Sequence, residues 1–474
     1  MENFMDIETA LKQIVNIVGR RGLIKGADAG PYLQDERALF YGEAALVVKP
    51  ASVEECSQII TIAQDCGIGV IPQGGNTSYC GGATPFDSKR QIILNLSRMN
   101  DIREVDPVNS TMTVEAGMVL SDAHTLAQNH NLMFPLSMGS QGSCQIGGVL
   151  STNAGGISVL RYGSARDLVL GLEAVLPNGE ILSELKGLRK DNTGYDLKGL
   201  FLGAEGTLGV ITAAVLKLFP EPLSRQTALL GVASPQAACD LLAQAQQDSD
   251  EQVISAEYIS RESLNIVLAK IAGTRDPFDD SVRHVLLLEL ATSQSETGLR
   301  NILEKVLQKG VVSGKVVDGV VAESMRQALE FWKLRESIPE AERCIGGSVK
   351  HDISVRISQI PEFLDKAGKM LNAIAPHRLS VFGHIGDGNL HYNLLPPTGS
   401  TLKSFQEGPA QKLSDSVHDL AVMLGGSFSA EHGIGVLKCD EFRKYKSPVS
   451  IGLMRTLKGA LDPRGIMNPG KLLG

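Results

Sequence analysis

Apolar positions come first in short runs and then at helical spacing, and together they lay out alternating strands and helices. Between residues 45 and 72 the run Leu46-Val47-Val48 is followed by a helical stretch opening at Ser52, then by Gly69-Val70-Ile71-Pro72. Ser52 with Glu55 three residues on is a capping box, which fixes a helix start there. Further apolar runs predict strands over 91–96, 102–105 and 111–116 and a helix over 119–129. Glycines are dense from 139 to 163; a strand over 208–218 then ends at Pro220-Glu221-Pro222. Beyond Pro222 the texture changes to helical runs at 237–247 and 299–308 and an apolar strand at 284–290, with few glycines before Gly346. The last stretch returns to Gly and Pro clusters. The expected organisation is a first domain over 1–222, a second over 223–425 and a C-terminal segment over 426–474, without repeats or low-complexity tracts.

Composition narrows the class. At 474 residues the chain exceeds one ordinary core, so two domains, or one interrupted by another, are expected. Hydrophobic content of 43% with 50 glycines describes a globular protein with many tight loops. A net charge of -8, no basic run and 5% aromatics leave neither a phosphate-tracking groove nor base-stacking platforms, so nucleic acid is not an expected partner. The seven cysteines (Cys56, Cys66, Cys80, Cys144, Cys239, Cys344, Cys439) never form a Cys-x-x-Cys pair, which argues against disulfides and iron-sulfur ligation and fits a reducing compartment. Residues Met1-Glu2-Asn3-Phe4-Met5-Asp6 lack a basic start and an apolar core, and no 18-residue apolar stretch follows. The expectation is a cytoplasmic protein without a signal peptide or membrane span.

The loop Pro72-Gln73-Gly74-Gly75-Asn76-Thr77-Ser78, closing with Gly81-Gly82, follows a predicted strand. Paired glycines let successive N–H groups turn to one side, and such a nest holds a pyrophosphate without a basic side chain, to which Asn76, Thr77 and Ser78 can add donors. It is not the Gly-x-Gly-x-x-Gly dinucleotide fingerprint. Companion loops occur at 139–148, at Ser151-Thr152-Asn153-Ala154-Gly155-Gly156, at Arg161-Tyr162-Gly163 and at Gly203-Ala204-Glu205-Gly206-Thr207-Leu208-Gly209. Four such loops in one half point to a long ligand threaded over backbone; the alternative is a glycine-rich scaffold.

Three of the nine histidines fall in two glycine-flanked motifs, His384-Ile385-Gly386-Asp387-Gly388-Asn389-Leu390-His391 and Glu431-His432-Gly433. On an uninterrupted strand His384 and His391, seven apart, face opposite sides; the Gly386-Asp387-Gly388 turn can break that register and bring both to one site. With Glu431 they make a two-His, one-carboxylate set suited to zinc or another divalent ion with an open position for substrate. If 430–432 is extended, Glu431 and His432 point opposite ways, so Glu431 can ligate while His432 serves as a base. A metal-binding hydrolase with purely structural glycine loops is the competing class.

The blocks PQGGNTSYCGG, GSCQIGGVLSTNAGG, RYGSARDLVLGLEAVLPNGE, RKDNTGYDLKGLFLGAEGTLGVIT, FGHIGDGNLHYN, AEHGIGVLK and LDPRGIMNPGK together resemble the vanillyl-alcohol-oxidase-type (PCMH-type) FAD proteins, and among them those that oxidise D-2-hydroxy acids, over essentially the whole chain. The resemblance implies an α+β fold: a two-subdomain FAD-binding domain, an α/β cap domain carrying substrate contacts, and a C-terminal segment returning to the flavin. It implies a flavin site at Pro72, Gly74, Gly75, Asn76, Thr77, Ser78, Gly142, Ser143, Gly147, Gly148, Asn153, Gly155, Tyr162, Gly163, Glu205, Gly209, Ile211 and Asn468. No histidine lies in the first glycine loop, so the FAD is expected to be non-covalent. The implied reaction is hydride removal from C2 of D-2-hydroxyglutarate to FAD, giving 2-oxoglutarate, with D-lactate, D-malate and glycolate as alternative substrates. In it the metal stabilises the developing alkoxide and His432 takes the hydroxyl proton.

Arg335, on a helix expected over 323–337 and closed by Pro339, and Lys350, on a strand expected over 348–355, correspond to carboxylate-binding positions of the relatives, and Asn393 joins them on the His391 face. Three departures stand out: Gln73 where relatives usually have Arg, Ser78 where many have Gly, and Pro339 in place of a hydroxyl residue. Without haem or iron-sulfur motifs, electrons are expected to leave to an electron-transfer flavoprotein or a quinone. The resemblance also implies a homodimer; a flavoprotein subunit of a larger assembly is a further reading.

Overall fold

The computed structural model describes residues 6–279, 281–294 and 297–474; Met1–Met5, on which most of the N-terminal reading rests, lie outside them. The chain divides into two compact units, one of residues 1–155, 164–221 and 431–474, the other of residues 156–163 and 222–430.

The first unit contains two main sheets. Strands Ala44–Val48 and Gly69–Gln73 flank Asp87–Asn95, both parallel to it, with Leu23–Ile24 at the edge. Helix Val53–Cys66 makes the crossover as its caps dictate: Ser52 accepts the Glu55 N–H, Glu55 accepts the Ala51 N–H, and Gly67 takes the left-handed C-cap conformation (φ 64°). The second sheet is antiparallel, ordered Ile102–Asp106, Thr111–Glu115, Val210–Lys217, Val169–Val175, Ile181–Glu184. The C-terminal segment rejoins the first sheet, with Val70 N–H donating to Ile466 O (2.7 Å) and Asn468 N–H to Val70 O (2.8 Å).

The second unit is built on a seven-stranded antiparallel sheet ordered Val316–Val321, Ser224–Val232, His284–Thr292, Val253–Ser260, Arg378–His384, Asn389–Leu395, Asp352–Ser354. Both faces are covered, so the inner strand His284–Thr292 is mostly apolar: Leu286, Leu288 and Leu290 enter one core, and Val285 and Leu287 enter the other. On that second face, Glu257 and Glu289 are buried carboxylates on neighbouring strands. Helix Met325–Glu336 lies over them, giving the Trp332 indole N–H to Glu289 (2.7 Å) and the Arg335 Nε to Glu257 (2.7 Å).

Several expected elements shift. The helix carrying Arg335 ends at Glu336, and Pro339 opens a new helix, Ile338–Cys344, because a first-turn proline lacks only an N–H that has no partner there. The strand expected over 348–355 shortens to Asp352–Ser354, leaving Lys350 between it and an isolated bridge from Val349 to Leu394. Residues 156–163, expected with the first half, belong to the second unit: Ile157 and Leu160 pack into its cores and Arg161 Nη1 donates to Ala291 O (2.6 Å). None of the seven cysteines is in a disulfide. No helix among the described residues is long and apolar enough to cross a membrane.

Candidate functional site

In the first unit the glycine loops close around a cleft of about 1370 Å³ including its open mouth. The loop after strand Gly69–Gln73 and the loop leading into helix Ile146–Ser151 approach so closely that a Cβ on Gly75 would sit 2.0 Å from Ser143 O. Of the expected positions, Pro72, Gly74, Gly75, Asn76, Thr77, Ser78, Gly147, Gly148, Gly155, Glu205, Gly209, Ile211 and Asn468 line the cleft, together with Glu431 and His432. Gly142, Ser143 and Asn153 lie in the same unit off its lining; Asn153 Oδ1 instead accepts Ser164 Oγ–H and the Arg166 N–H. Tyr162 and Gly163 belong to the second unit.

The polar lining has its own logic. Gln73 is buried and braces the loop, donating Nε2 to Tyr32 O and Ala83 O and accepting from Asn95 Nδ2, so this neutral amide is spent on closing backbone. The Asn76 amide is likewise spent on Pro31 O and Gln34 O. Asn468, at φ 43°, ties two loops together through Nδ2 to Gly82 O (3.0 Å) and Glu205 O (2.7 Å). Glu205 accepts the N–H groups of Ile434 and Gly435, both at 2.7 Å, which anchors the turn after His432; burial pushes its carboxyl up despite those bonds.

The residues present fit FAD. The lining contains no Lys or Arg, so a pyrophosphate must rely on turned backbone N–H groups. Gln145 Oε1 and Asn468 Oδ1 are buried acceptors without a partner in the protein, suited to the N–H edge of a heterocycle. Gln145 is not a position that loop chemistry singles out, because its role depends on burial.

His432 and Glu431 sit in bends, and Gly433 turns the chain at φ 77°, so the extended geometry considered for 430–432 is not formed. The His432 ring stands edge-on to Tyr79 (5.0 Å, 88°), over which Arg37 lies at 3.9 Å.

In the second unit, strands Arg378–His384 and Asn389–Leu395 form a hairpin across Ile385-Gly386-Asp387-Gly388. Its register sets Phe382 opposite His391, which leaves His384 diagonal to His391 on one face, with ring centroids 5.8 Å apart. The turn thus unites two side chains that a continuous strand would separate. His384 gives Nδ1 to Glu257 (2.7 Å). Burial alone would push the Glu257 carboxyl up, but His384 and Arg335 outweigh it and hold it below the ordinary carboxylate range. Asp352, which sequence spacing does not single out, pairs with His391 across the strands and offers a carboxylate oxygen within 4.8 Å of its imidazole. Arg335 also stacks on Phe382 (4.8 Å), and its Nε is committed to Glu257. Lys350 (3.4 Å), Asn393 (3.0 Å) and Ser348 (2.7 Å) converge on Glu342, another fully buried carboxylate.

A cleft walled by glycine loops and free of basic side chains, on one mixed and one antiparallel sheet, defines a flavin-binding oxidoreductase scaffold. The FAD binding domain family matches residues 44–183 and the C-terminal domain family of FAD linked oxidases matches residues 221–472, so the chain belongs to the FAD-linked oxidases and is an FAD-dependent enzyme. It is 38% identical to D-2-hydroxyglutarate dehydrogenase, mitochondrial, of Arabidopsis thaliana over 92% of this chain and 76% of that one. It is also 38% identical to the Rattus norvegicus protein of the same name over 91% of this chain and 78% of that one. A solved structure of p-cresol methylhydroxylase with substrate bound shares the fold at a TM-score of 0.73 and 18% identity, covering 98% of this chain and 96% of that one. The two-domain PCMH-type architecture expected from sequence is therefore the one observed. The expectation of a cytoplasmic protein is overturned, because these relatives are named mitochondrial. That expectation rests on six terminal residues and on cysteine spacing, which report local hydropathy and thiol pairing rather than compartment.

Proposed function

We propose that the chain is an FAD-dependent D-2-hydroxyglutarate dehydrogenase forming 2-oxoglutarate, with the second unit as its substrate domain. In this reading His384, His391 and Glu431 hold a divalent ion such as zinc, and His432 takes the hydroxyl proton. The reading is carried by the two anchored cations of the second unit, Arg335 on Glu257 and Lys350 on Glu342. A substrate with a carboxylate at each end calls for two such donors, a monocarboxylate for one. The names of the plant and rat relatives support the same substrate.

Bound FAD would supply the redox chemistry, taking the hydride from C2. A bound ion would supply Lewis acidity at the hydroxyl and the adjacent carboxylate. The protein's own part is alignment and proton removal. Ala430 N–H donates to Asp352 O (3.1 Å), Asp352 pairs with His391 across the strands, and Glu431 follows Ala430 in the chain. Tyr79 and Arg37 hold the His432 ring in place while it accepts the proton.

Anaerobic titration of the purified protein with D-2-hydroxyglutarate, D-lactate, D-malate and glycolate, before and after chelator, tests the reading through flavin bleaching. D-2-hydroxyglutarate is expected to bleach fastest, and chelator to slow it; bleaching indifferent to chelator would remove the metal from the mechanism. Lys350→Met is expected to lower kcat/KM for D-2-hydroxyglutarate by about tenfold to a hundredfold, the scale of a lost charged hydrogen bond. D-lactate, which has no distal carboxylate, should be little affected, and equal losses on the two acids would refute the distal-carboxylate role.

A further inference from the structure

Glu257 is a fully buried carboxylate in the middle of strand Val253–Ser260. Its two oxygens serve different partners, Oε1 taking His384 Nδ1 and Oε2 taking Arg335 Nε, each at 2.7 Å. Sheet register puts it directly opposite His384, while Arg335 descends from helix Met325–Glu336. An imidazole that coordinates an ion through one nitrogen must carry its proton on the other, and a carboxylate receiving that proton fixes both tautomer and ring rotation. On the other side, the Nε bond and the stacking on Phe382 set the plane of the guanidinium, so its terminal nitrogens keep one orientation.

Resting on the metal and substrate assignments above, we propose that Glu257 is a positioning residue: a single carboxylate that locks the metal ligand His384 and the substrate clamp Arg335 in mutual register. Glu289 supplies the internal comparison. It is a buried acid on the adjacent strand under the same helix, and its partners are Trp332, Thr227 and Arg225.

The test is Zn²⁺ affinity of the FAD-loaded protein, by competition with a chromophoric chelator, alongside KM and kcat for D-2-hydroxyglutarate. Glu257→Gln is expected to weaken Zn²⁺ binding about 10- to 100-fold, the usual cost of losing a carboxylate behind a ligating histidine, and to raise KM while lowering kcat. Glu289→Gln should leave Zn²⁺ affinity unchanged and lower only thermal stability. A folded Glu257→Gln protein that binds Zn²⁺ as tightly as the wild type overturns the positioning role alone. A wild type that takes up no Zn²⁺ overturns the metal assignment and this proposal together. If Glu257→Gln does not fold, ¹⁵N-histidine NMR of the wild type decides, with His384 assigned through His384→Gln: a proton on Nδ1 of His384 supports the role, and a proton on Nε2 alone rejects it.

Discussion

Replacing His432 with alanine is expected to cut turnover by about 10²- to 10⁴-fold, the range for a lost general base, while FAD remains bound. The side chain lines the cleft at its Glu431 end, and its ring is held edge-on by Tyr79. The glycine loops are braced by bonds through Gln73, Asn468 and Glu205. Removing the imidazole therefore takes away the proton acceptor without loosening the cofactor. Stopped-flow reduction under anaerobic conditions separates the steps, because the bleaching rate at saturating acid should fall while the absorbance of bound flavin per chain does not. A His432→Ala protein that bleaches within threefold of the wild-type rate would place the base elsewhere.

Gly75→Ala is the second large effect. Its Cβ would lie 2.0 Å from Ser143 O and within 3.0 Å of Ser143 C and Cys144 Cα, all of them backbone atoms that cannot swing aside. The two loops must part, at the cost of about 1–3 kcal/mol typical of overpacking, which corresponds to a loss of FAD affinity of roughly one to two orders of magnitude. Gly142→Ala is the matched comparison, since a Cβ there meets nothing within 4 Å. Flavin-to-protein absorbance ratios after gel filtration should drop for Gly75→Ala and hold for Gly142→Ala. Equal retention would mean that the loops do not grip the cofactor.

What could be read from the sequence was what each position dictates about its own backbone. Gly74-Gly75, Gly81-Gly82 and the Gly386-Asp387-Gly388 turn announce tight geometry where they stand, and the loops and the hairpin fall where expected. The Ser52–Glu55 cap marks its helix for the same reason. What escaped was pairing decided by sheet register over long separations. Glu257 is 78 residues from Arg335 and 127 from His384, and nothing in its local sequence, Ser255-Ala256-Glu257-Tyr258, marks it apart from any strand acid. Asp352, Glu342 and Glu289 were hidden in the same way. Arg335 was legible as a cation but not as one already held by an acid of its own, and the stretch 156–163 could not be assigned to the second unit because its partners, Ala291 among them, lie far along the chain.

The bond between Trp332 and Glu289 has a practical consequence. Trp332 is the sole tryptophan of the chain, and its indole N–H is tied to one buried acceptor within the second unit. Its emission therefore reports a single, uniform environment, and a red shift on heating dates the melting of that unit. Release of flavin fluorescence dates the opening of the other. Two colours followed in one scan would tell whether the units come apart in concert or in sequence, without a label being attached to either.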